Sequence, residues 1–199
     1  MLIKTLTVGH LGTNCYVVTD EDSLQCAVID PGDESGTIMD YLEDNHLTCK
    51  AVFLTHGHFD HTGAVEALLS ETGASLWMNQ ADCGSGQFQY VAPEGTLWYG
   101  EGDCVHVGAL EFHVIATPGH TPGGVTLRCG DALFTGDTLF RDSCGRTDFP
   151  GGDMQTQLKS LRRLARLEGD YDVYPGHMEA TTLERERHFN YYMKYAQEM

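Results

Sequence analysis

Basic side chains are scarce in this 199-residue chain: 12 Lys and Arg stand against 29 Asp and Glu, a formal net charge of -17. A surface of that sign repels polyanions, which argues against nucleic acid as a partner. Long apolar runs are also missing. None approaches the roughly 20 residues that span a bilayer, and the opening MLIKTLTVGHLGTNCYVV alternates like a strand and lacks the apolar core of a signal peptide. No membrane association and a cytoplasmic location are expected. The seven cysteines are odd in number, widely scattered and contain no C-x-x-C pair, so reduced thiols rather than a disulfide framework are expected. Linkers, low-complexity tracts and strict repeats are absent, and the length leaves no room for a second full domain. One domain over residues 1–199 is expected, as a monomer or small homo-oligomer. What is present, 41% apolar and 21% charged residues, is the composition of an ordinary globular chain.

Runs at 2–8, 15–19 and 25–29 are rich in β-branched residues and separated by Gly, Asn and Asp, which predicts an antiparallel meander. A helix is predicted over 34–46, with Ile38 and Leu42 four apart and Asp33 as its N-cap, followed by a short buried strand at 51–54. Residues 62–72 place Ala64, Val65, Leu68 and Leu69 on one helical face and stop at Gly73. A strand at 74–78 comes next. From 79 to 103 the chain is Gly-rich and polar with Phe88, Tyr90, Trp98 and Tyr99 interspersed, and it reads as an ordered surface excursion. Strands at 104–107, 109–116, 124–129 and 132–135 open a second half. Helix 154–167 follows an Asp153 cap and turns Met154, Leu158, Leu161 and Ala165 to the core. A strand at 171–174 and a helix at 182–197, opened by Thr181 and Glu184 in capping-box spacing, complete the chain. Two β-then-α halves fit two sheets packed face to face with helices outside.

Five of the ten histidines and two aspartates fall in four short segments: Thr55-His-Gly-His-Phe-Asp-His61, Pro118-Gly-His-Thr-Pro122, Thr135-Gly-Asp137 and Pro175-Gly-His177. Each directly follows a predicted strand, and ligands at strand ends build a rigid metal site at the rim of a sandwich. His56, His58 and Asp60 alternate with a glycine or an aromatic, which suits a tight loop that sends successive ligands to one centre. His61, beside Asp60, can serve a neighbouring ion. Imidazole and carboxylate donors select zinc, iron or manganese over calcium, and a cluster without cysteine suits an open, catalytic metal.

In this order the patterns H-x-H-x-D-H, G-H-T-P-G, T-G-D and P-G-H resemble the metallo-β-lactamase superfamily over nearly the whole chain. The resemblance implies an α/β fold, the αββα sandwich of two packed mixed sheets with helices on both outer faces. It also implies two divalent metal ions, zinc first, with iron or manganese as the other choices. His56, His58 and His120 would hold one ion, Asp60, His61 and His177 the other, and Asp137 would bridge them. Two ions about 3.5–4 Å apart share a hydroxide, because each lowers the pKa of bound water toward about 7. Asp60 would orient that nucleophile, and a metal-bound thiolate could leave without a general acid.

Residues 136–152, GDTLFRDSCGRTDFPGG, together with Thr13-Asn-Cys-Tyr16, resemble the glyoxalase II branch, the hydroxyacylglutathione hydrolases, and within it the short single-domain relatives. This implies a small-molecule thioester substrate such as S-lactoylglutathione or a related hydroxyacyl thiol. Arg146 would grip the anionic thiol portion, unless it is spent on an ion pair with Asp142 or Asp148. Two departures bear on the thiol carrier: the long C-terminal helical domain of full-length glyoxalase II has no counterpart, and Asp148-Phe149 stands where that branch commonly has a tyrosine. The run Cys144-Gly-Arg-Thr-Asp-Phe149 also resembles persulfide dioxygenases, which would use one iron on His56, His120 and Asp137. The full set of seven ligands favours the hydrolase. His10, His46, His106, His113 and His188 lack ligand context and are expected at the surface or hydrogen-bonded. Cys144 is expected as a small buried residue, and Asn14 and Tyr16 as supports of the first turn and strand.

Overall fold

The opening runs form β1 (Leu2–Val8), β2 (Thr13–Asp20) and β3 (Gln25–Ile29), paired as an antiparallel meander. The structure, a computed structural model, describes residues 1–199. Successive side chains on a strand point to opposite faces, so Tyr16, Val18, Ala27 and Ile29 turn one way and Cys15, Val17, Cys26 and Val28 the other. All eight are buried. A sheet that is apolar on both faces needs a covering layer on each.

The outer layer comes from α1 (Ser35–Asp44), the short α2 (Phe59–Thr62) and α3 (Val65–Thr72), threaded between the parallel strands β4 (Thr48–Phe53) and β5 (Ser75–Met78). β6 (Leu97–Trp98) closes a six-stranded sheet in the order β1-β2-β3-β4-β5-β6. Ile38 and Leu42 of α1 and Val65 and Leu68 of α3 pack on Val17, Val28 and Val52.

The second half repeats this plan. β7 (Cys104–Val107), β8 (Leu110–Ala116), β9 (Val125–Cys129) and β10 (Ala132–Gly136) run antiparallel. The small pair β11 (Leu139–Phe140) and β12 (Ser143–Cys144) precedes α4 (Met154–Ala165). Then come β13 (Asp172–Pro175), parallel to β10, β14 (Thr181–Thr182), α5 (Leu183–Phe189) and α6 (Tyr191–Glu198). The sheet order is β14-β13-β10-β9-β8-β7. Its inner face meets the first sheet through Phe112, Val114, Leu127 and Phe134, with the Phe53 and Phe112 rings 4.9 Å apart. Its outer face, Leu133 and Val173, lies under Leu158, Leu161, Leu164, Leu183 and Met193. The result is the expected αββα sandwich of two mixed sheets with helices on both outer faces.

Several local expectations fail for tertiary reasons. Helix 62–72 is interrupted after Thr62, because the Gly63 and Ala64 N–H groups donate to Gly32 and Pro31 carbonyls at 3.0 and 2.9 Å; this leaves Asp60 and His61 on a separate turn. The last helix breaks at Asn190, whose Oδ1 accepts from the Met193 N–H at 3.1 Å while its amide donates to the Phe140 and Ser143 carbonyls. Thr182, not Thr181, caps α5, and the Thr181 hydroxyl donates instead to Glu186 at 2.7 Å. Asp33 does not cap α1; the cap position is Glu34, in left-handed conformation. Met154 opens α4 exposed rather than facing the core. The 79–103 excursion supplies β6 and the buried Tyr99, whose hydroxyl donates to the Leu54 carbonyl at 2.6 Å. All seven cysteines are free thiols, and no helix is long and apolar enough to cross a membrane.

Candidate active site

Four strand ends meet at one rim. The Thr55–His61 stretch leaves β4, His120 follows β8, Asp137 follows β10 and His177 follows β13. Ligand-type atoms of His56, His58 and His120 lie within 4.8 Å of one another, as do those of Asp60, His61 and His177. Asp137 stands between the two groups: Oδ2 is 3.4 Å from His120 Nε2 and 3.6 Å from His177 Nε2, and Oδ1 is 3.5 Å from His61 Nε2. All seven sequence-predicted metal residues are therefore brought together.

Neighbouring groups fix which ring nitrogen faces inward. His120 Nδ1 lies 2.6 Å from the Arg146 carbonyl, which can only accept, so Nδ1 carries the proton and Nε2 presents its lone pair. The Thr55 hydroxyl donates to Asp30 at 2.6 Å and stands 3.1 Å from His56 Nδ1, whose proton it accepts; His56 Nε2 is left for the centre. His61 Nδ1 faces Asp30 Oδ2 at 3.0 Å, and its Nε2 looks toward Asp60 and Asp137. His58 presents Nδ1, 2.9 Å from His120 Nε2. Lone pairs converging at that distance repel unless a proton or a cation lies between them. His56 Nε2, both ring nitrogens of His61 and Asp137 Oδ1 are buried without an aligned hydrogen-bond partner, His61 Nδ1 having only its ion-pair contact with Asp30, an arrangement that costs about 1–3 kcal/mol per group. Converging, orphaned N and O donors of this kind fit two cations of the zinc, iron or manganese type.

The electrostatics divide the site. Burial and the neighbouring histidines push His56 well down, and burial with His120 and His61 pushes His58 down to about 4. Around His61, burial opposes the charge, yet Asp30, Asp137 and Asp60 raise the ring to about 9. His177 is raised by Asp60 and Asp137, again against burial. Burial also works against the Asp60 carboxylate, but His177 and His61 hold it far below the ordinary range. The second triad is thus an acidic nest whose carboxylates favour positive charge on His61 and His177.

The sequence profile described as the metallo-beta-lactamase superfamily matches residues 8–177. The chain belongs to this superfamily. Its members are typically metal-dependent hydrolases, and they bind metal ions. The chain is 39% identical to an uncharacterized protein of Aquifex aeolicus (strain VF5), over 96% of each. It is 33% identical to the hydroxyacylglutathione hydrolase GloC of Haemophilus influenzae, over 96% of this chain and 97% of that protein. Among solved structures it is similar to ETHE1 from Myxococcus xanthus, with 33% identity and a TM-score of 0.87 over 96% of this chain and 84% of that one. It is also similar to TTHA1623 in a di-iron-bound form, with 33% identity and a TM-score of 0.83 over 95% and 99% of the two chains.

In this superfamily member the residues that support the centre were harder to foresee than those that form it. Asp30 closes β3 with φ of 51°, a conformation costly for most residues but tolerated by Asp. It accepts from the Thr55 N–H at 2.7 Å and so anchors the His56–His58 loop from behind. Asp82 accepts from the Gly57 N–H, the Thr121 hydroxyl and the Gly123 N–H at 3.1, 2.7 and 2.6 Å, tying that loop to the His120 loop. Asn14 donates to the Pro175 and Met178 carbonyls and Tyr16 to Pro175, bracketing His177. The expected role of Asn14 and Tyr16 in the first turn and strand is thereby extended to the site. A Cβ at Gly145 or Gly176 would collide with Asp137, on its carbonyl and its carboxylate respectively.

In front of the centre lies a cleft of about 530 Å³ lined by Leu11, Phe59, Phe88, Phe140, Cys144, Arg146, Phe149 and Met178 besides the ligands. One wall is a stack. The Arg146 guanidinium lies 3.9 Å from the Phe149 ring centre, and Phe149 lies parallel to Phe88 at 4.4 Å. Arg146 also makes a forked pair with Asp148, Nε and Nη2 each at 2.7 Å, so it lines the cleft and is ion-paired at once. The Cys144 thiol is pushed up to about 11 by burial, which keeps it protonated at neutral pH.

Proposed function

We propose that the chain is a dinuclear metal-dependent hydrolase that cleaves a thioester such as S-lactoylglutathione or a related hydroxyacyl thiol. The observation that carries this reading is the position of Asp137, one carboxylate whose two oxygens address both triads. In this assignment His56, His58 and His120 would hold one ion and Asp60, His61 and His177 the other, with Asp137 shared between them. Divalent ions held there, zinc or else iron or manganese, would supply an activated water at neutral pH and a Lewis acid for the carbonyl.

The chain's own groups supply the rest. Asp60 Oδ2 accepts from the Thr13 hydroxyl at 3.3 Å and lies 3.2 Å from His177 Nε2, which fixes the carboxylate so that it orients the attacking water. Outside the ligand set the cleft lining offers no carboxyl or imidazole as a general acid. That deficit suits a leaving group that departs as an anion, as a thiolate does and an amine does not. Arg146 Nη1 is not engaged by Asp148 and is open to a carboxylate of the thiol carrier, while Phe88 and Phe149 cover its apolar part.

A mononuclear iron persulfide dioxygenase on the same fold is the competing reading, carried by Cys144-Gly-Arg-Thr-Asp-Phe149. It leaves His58, Asp60, His61 and His177 without a task. Metal quantification on the purified protein, with thioesterase and oxygen-uptake assays in parallel, separates the two. Close to two metals per chain and thioester cleavage are expected. A single iron, with oxygen uptake on glutathione persulfide and no thioester cleavage, would overturn the hydrolase.

A further inference from the structure

The outward face of the β7–β8 hairpin carries another group of metal-type donors. Strand register pairs Cys104 with His113 and His106 with Glu111. Residues i and i+2 share a strand face, so these four side chains stand together on the face opposite Val105, Val107 and Phe112, which are buried between the sheets. Cys104 Sγ, a Glu111 carboxylate oxygen and a His113 ring nitrogen lie within 4.8 Å of one another. Glu111 reaches both imidazoles, with Oε1 3.4 Å from His106 Nε2 and Oε2 3.4 Å from His113 Nε2.

Those two separations are informative. They exceed the roughly 2.7–3.2 Å of a good N–H···O hydrogen bond, so the groups do not satisfy one another. Glu111 turns Oε2 toward His113, on the side where Cys104 Sγ also stands within 4.8 Å, and Oε1 toward His106. One thiol, one imidazole and one carboxylate, with a second imidazole beside the carboxylate, form a donor set for zinc-class ions rather than for calcium or magnesium. Arg128, paired in register with His113 from β9, is the adjacent cation. Its single positive charge is outweighed by the Glu111 carboxylate together with a Cys104 thiolate. None of these residues belongs to the seven-residue centre or lines its cleft.

We propose that Cys104, Glu111 and His113 form a separate metal site that takes one zinc-class divalent ion, with His106 holding the other Glu111 oxygen. β7 is the edge strand of the second sheet, and an ion shared by both strands clips that edge to β8. His113, expected from the sequence at the surface or hydrogen-bonded, becomes a ligand in this assignment, and His106 its support through Glu111. The site stands independently of the reaction proposed for the centre.

Cobalt titration of the metal-loaded protein tests it. A thiolate ligand gives Co2+ a sulfur-to-metal charge-transfer absorption, which a set of histidines and aspartates does not. The expected result is such a band saturating at one further equivalent of Co2+, lost in Cys104→Ser and retained in Cys144→Ser, the variant that removes the only thiol lining the cleft. Absence of the band in the wild type, or its survival in Cys104→Ser, would overturn the proposal. Alkylation of Cys104 followed by peptide mass analysis gives a second reading. Zn2+ is expected to protect the thiol at least about tenfold in the wild type and not in His106→Ala/His113→Ala; an equal rate with and without Zn2+ refutes the site.

Discussion

Asp30 is assigned no ion and touches no substrate, yet its replacement by asparagine is expected to empty the second metal position. Its oxygens take the Thr55 N–H and hydroxyl protons at 2.7 and 2.6 Å, and Oδ2 also faces His61 Nδ1 at 3.0 Å. An amide of the same shape has one accepting and one donating end, so one of these partners must meet an N–H. If it is His61, Nδ1 becomes the acceptor and Nε2 carries the proton, the tautomer that cannot ligate. If it is Thr55, a buried N–H or hydroxyl loses its acceptor at a cost of about 1–3 kcal/mol. Loss of such a carboxylate behind a ligating histidine weakens metal binding by about 10–100-fold, or about 1.4–2.8 kcal/mol. An opposing effect must be weighed. Burial disfavours the charged His61 ring, but Asp30, with Asp137 and Asp60, raises it to about 9, and removing the Asp30 charge eases the competition from that proton. The carboxylate attracts a divalent ion with twice the charge it attracts the proton, so the net effect remains a loss. Metal content after equilibration against a chelator at pH 7 is expected to fall from two ions to one in Asp30→Asn, with the far-ultraviolet spectrum unchanged. Retention of two ions with affinities within about threefold of the wild type would refute this account of His61.

Asp137→Ala is expected to lose both ions and all turnover while the apoprotein stays folded, since Asp137 lies on the rim outside all three apolar cores; metal analysis with circular dichroism checks it, and full activity refutes the bridge. Arg146→Ala is expected to raise KM about tenfold with kcat little changed, as for one charge-assisted bond to the substrate. An unchanged KM would restrict Arg146 to its pair with Asp148. The metal-free protein is expected to be most stable near pH 6.5. His61, raised to about 9, contributes fully below the ordinary value of 6.5 and loses its contribution as pH rises through 9. His58, lowered to about 4 by burial and by His120 and His61, acts in the other window: between 6.5 and 4 the unfolded chain takes up the proton first, so stability falls as pH drops. In thermal unfolding of the apoprotein, a stability that rises steadily from pH 4 to 9 would contradict the His61 assignment, and one that falls steadily would contradict that of His58.

The seven candidate ligands are legible in the sequence because each occupies a short segment after a strand, and strand ends of the two sheets share one rim. The layers are legible because alternation in β2 and β3 leaves both faces apolar. Interruptions of the helices are not, since they depend on distant backbone: nothing local to 62–72 announces that Gly63 and Ala64 will bond Gly32 and Pro31. Asn190 did carry a signal, an N-cap residue three positions before Met193, masked by the helical pattern running through it. Asp30 shares the strand-end position of the ligands, and Ile29-Asp-Pro-Gly32 could have drawn notice on that ground. Asp82 could not, because it lies in an aperiodic stretch and matters only through partners 25 to 41 residues away.

The two triads also draw on both halves of the sandwich. His56, His58, Asp60 and His61 follow a strand of the first sheet, whereas His120, Asp137 and His177 follow strands of the second. Under the proposed assignment each ion is a rivet through the seam between the halves, and opening the sandwich must first expel it. At a hundredfold excess of metal over its dissociation constant, each such rivet adds about 2.7 kcal/mol against unfolding. Metal supply would then govern the lifetime of the molecule as well as its turnover, and a chain starved of metal would be both idle and easier for a protease to open.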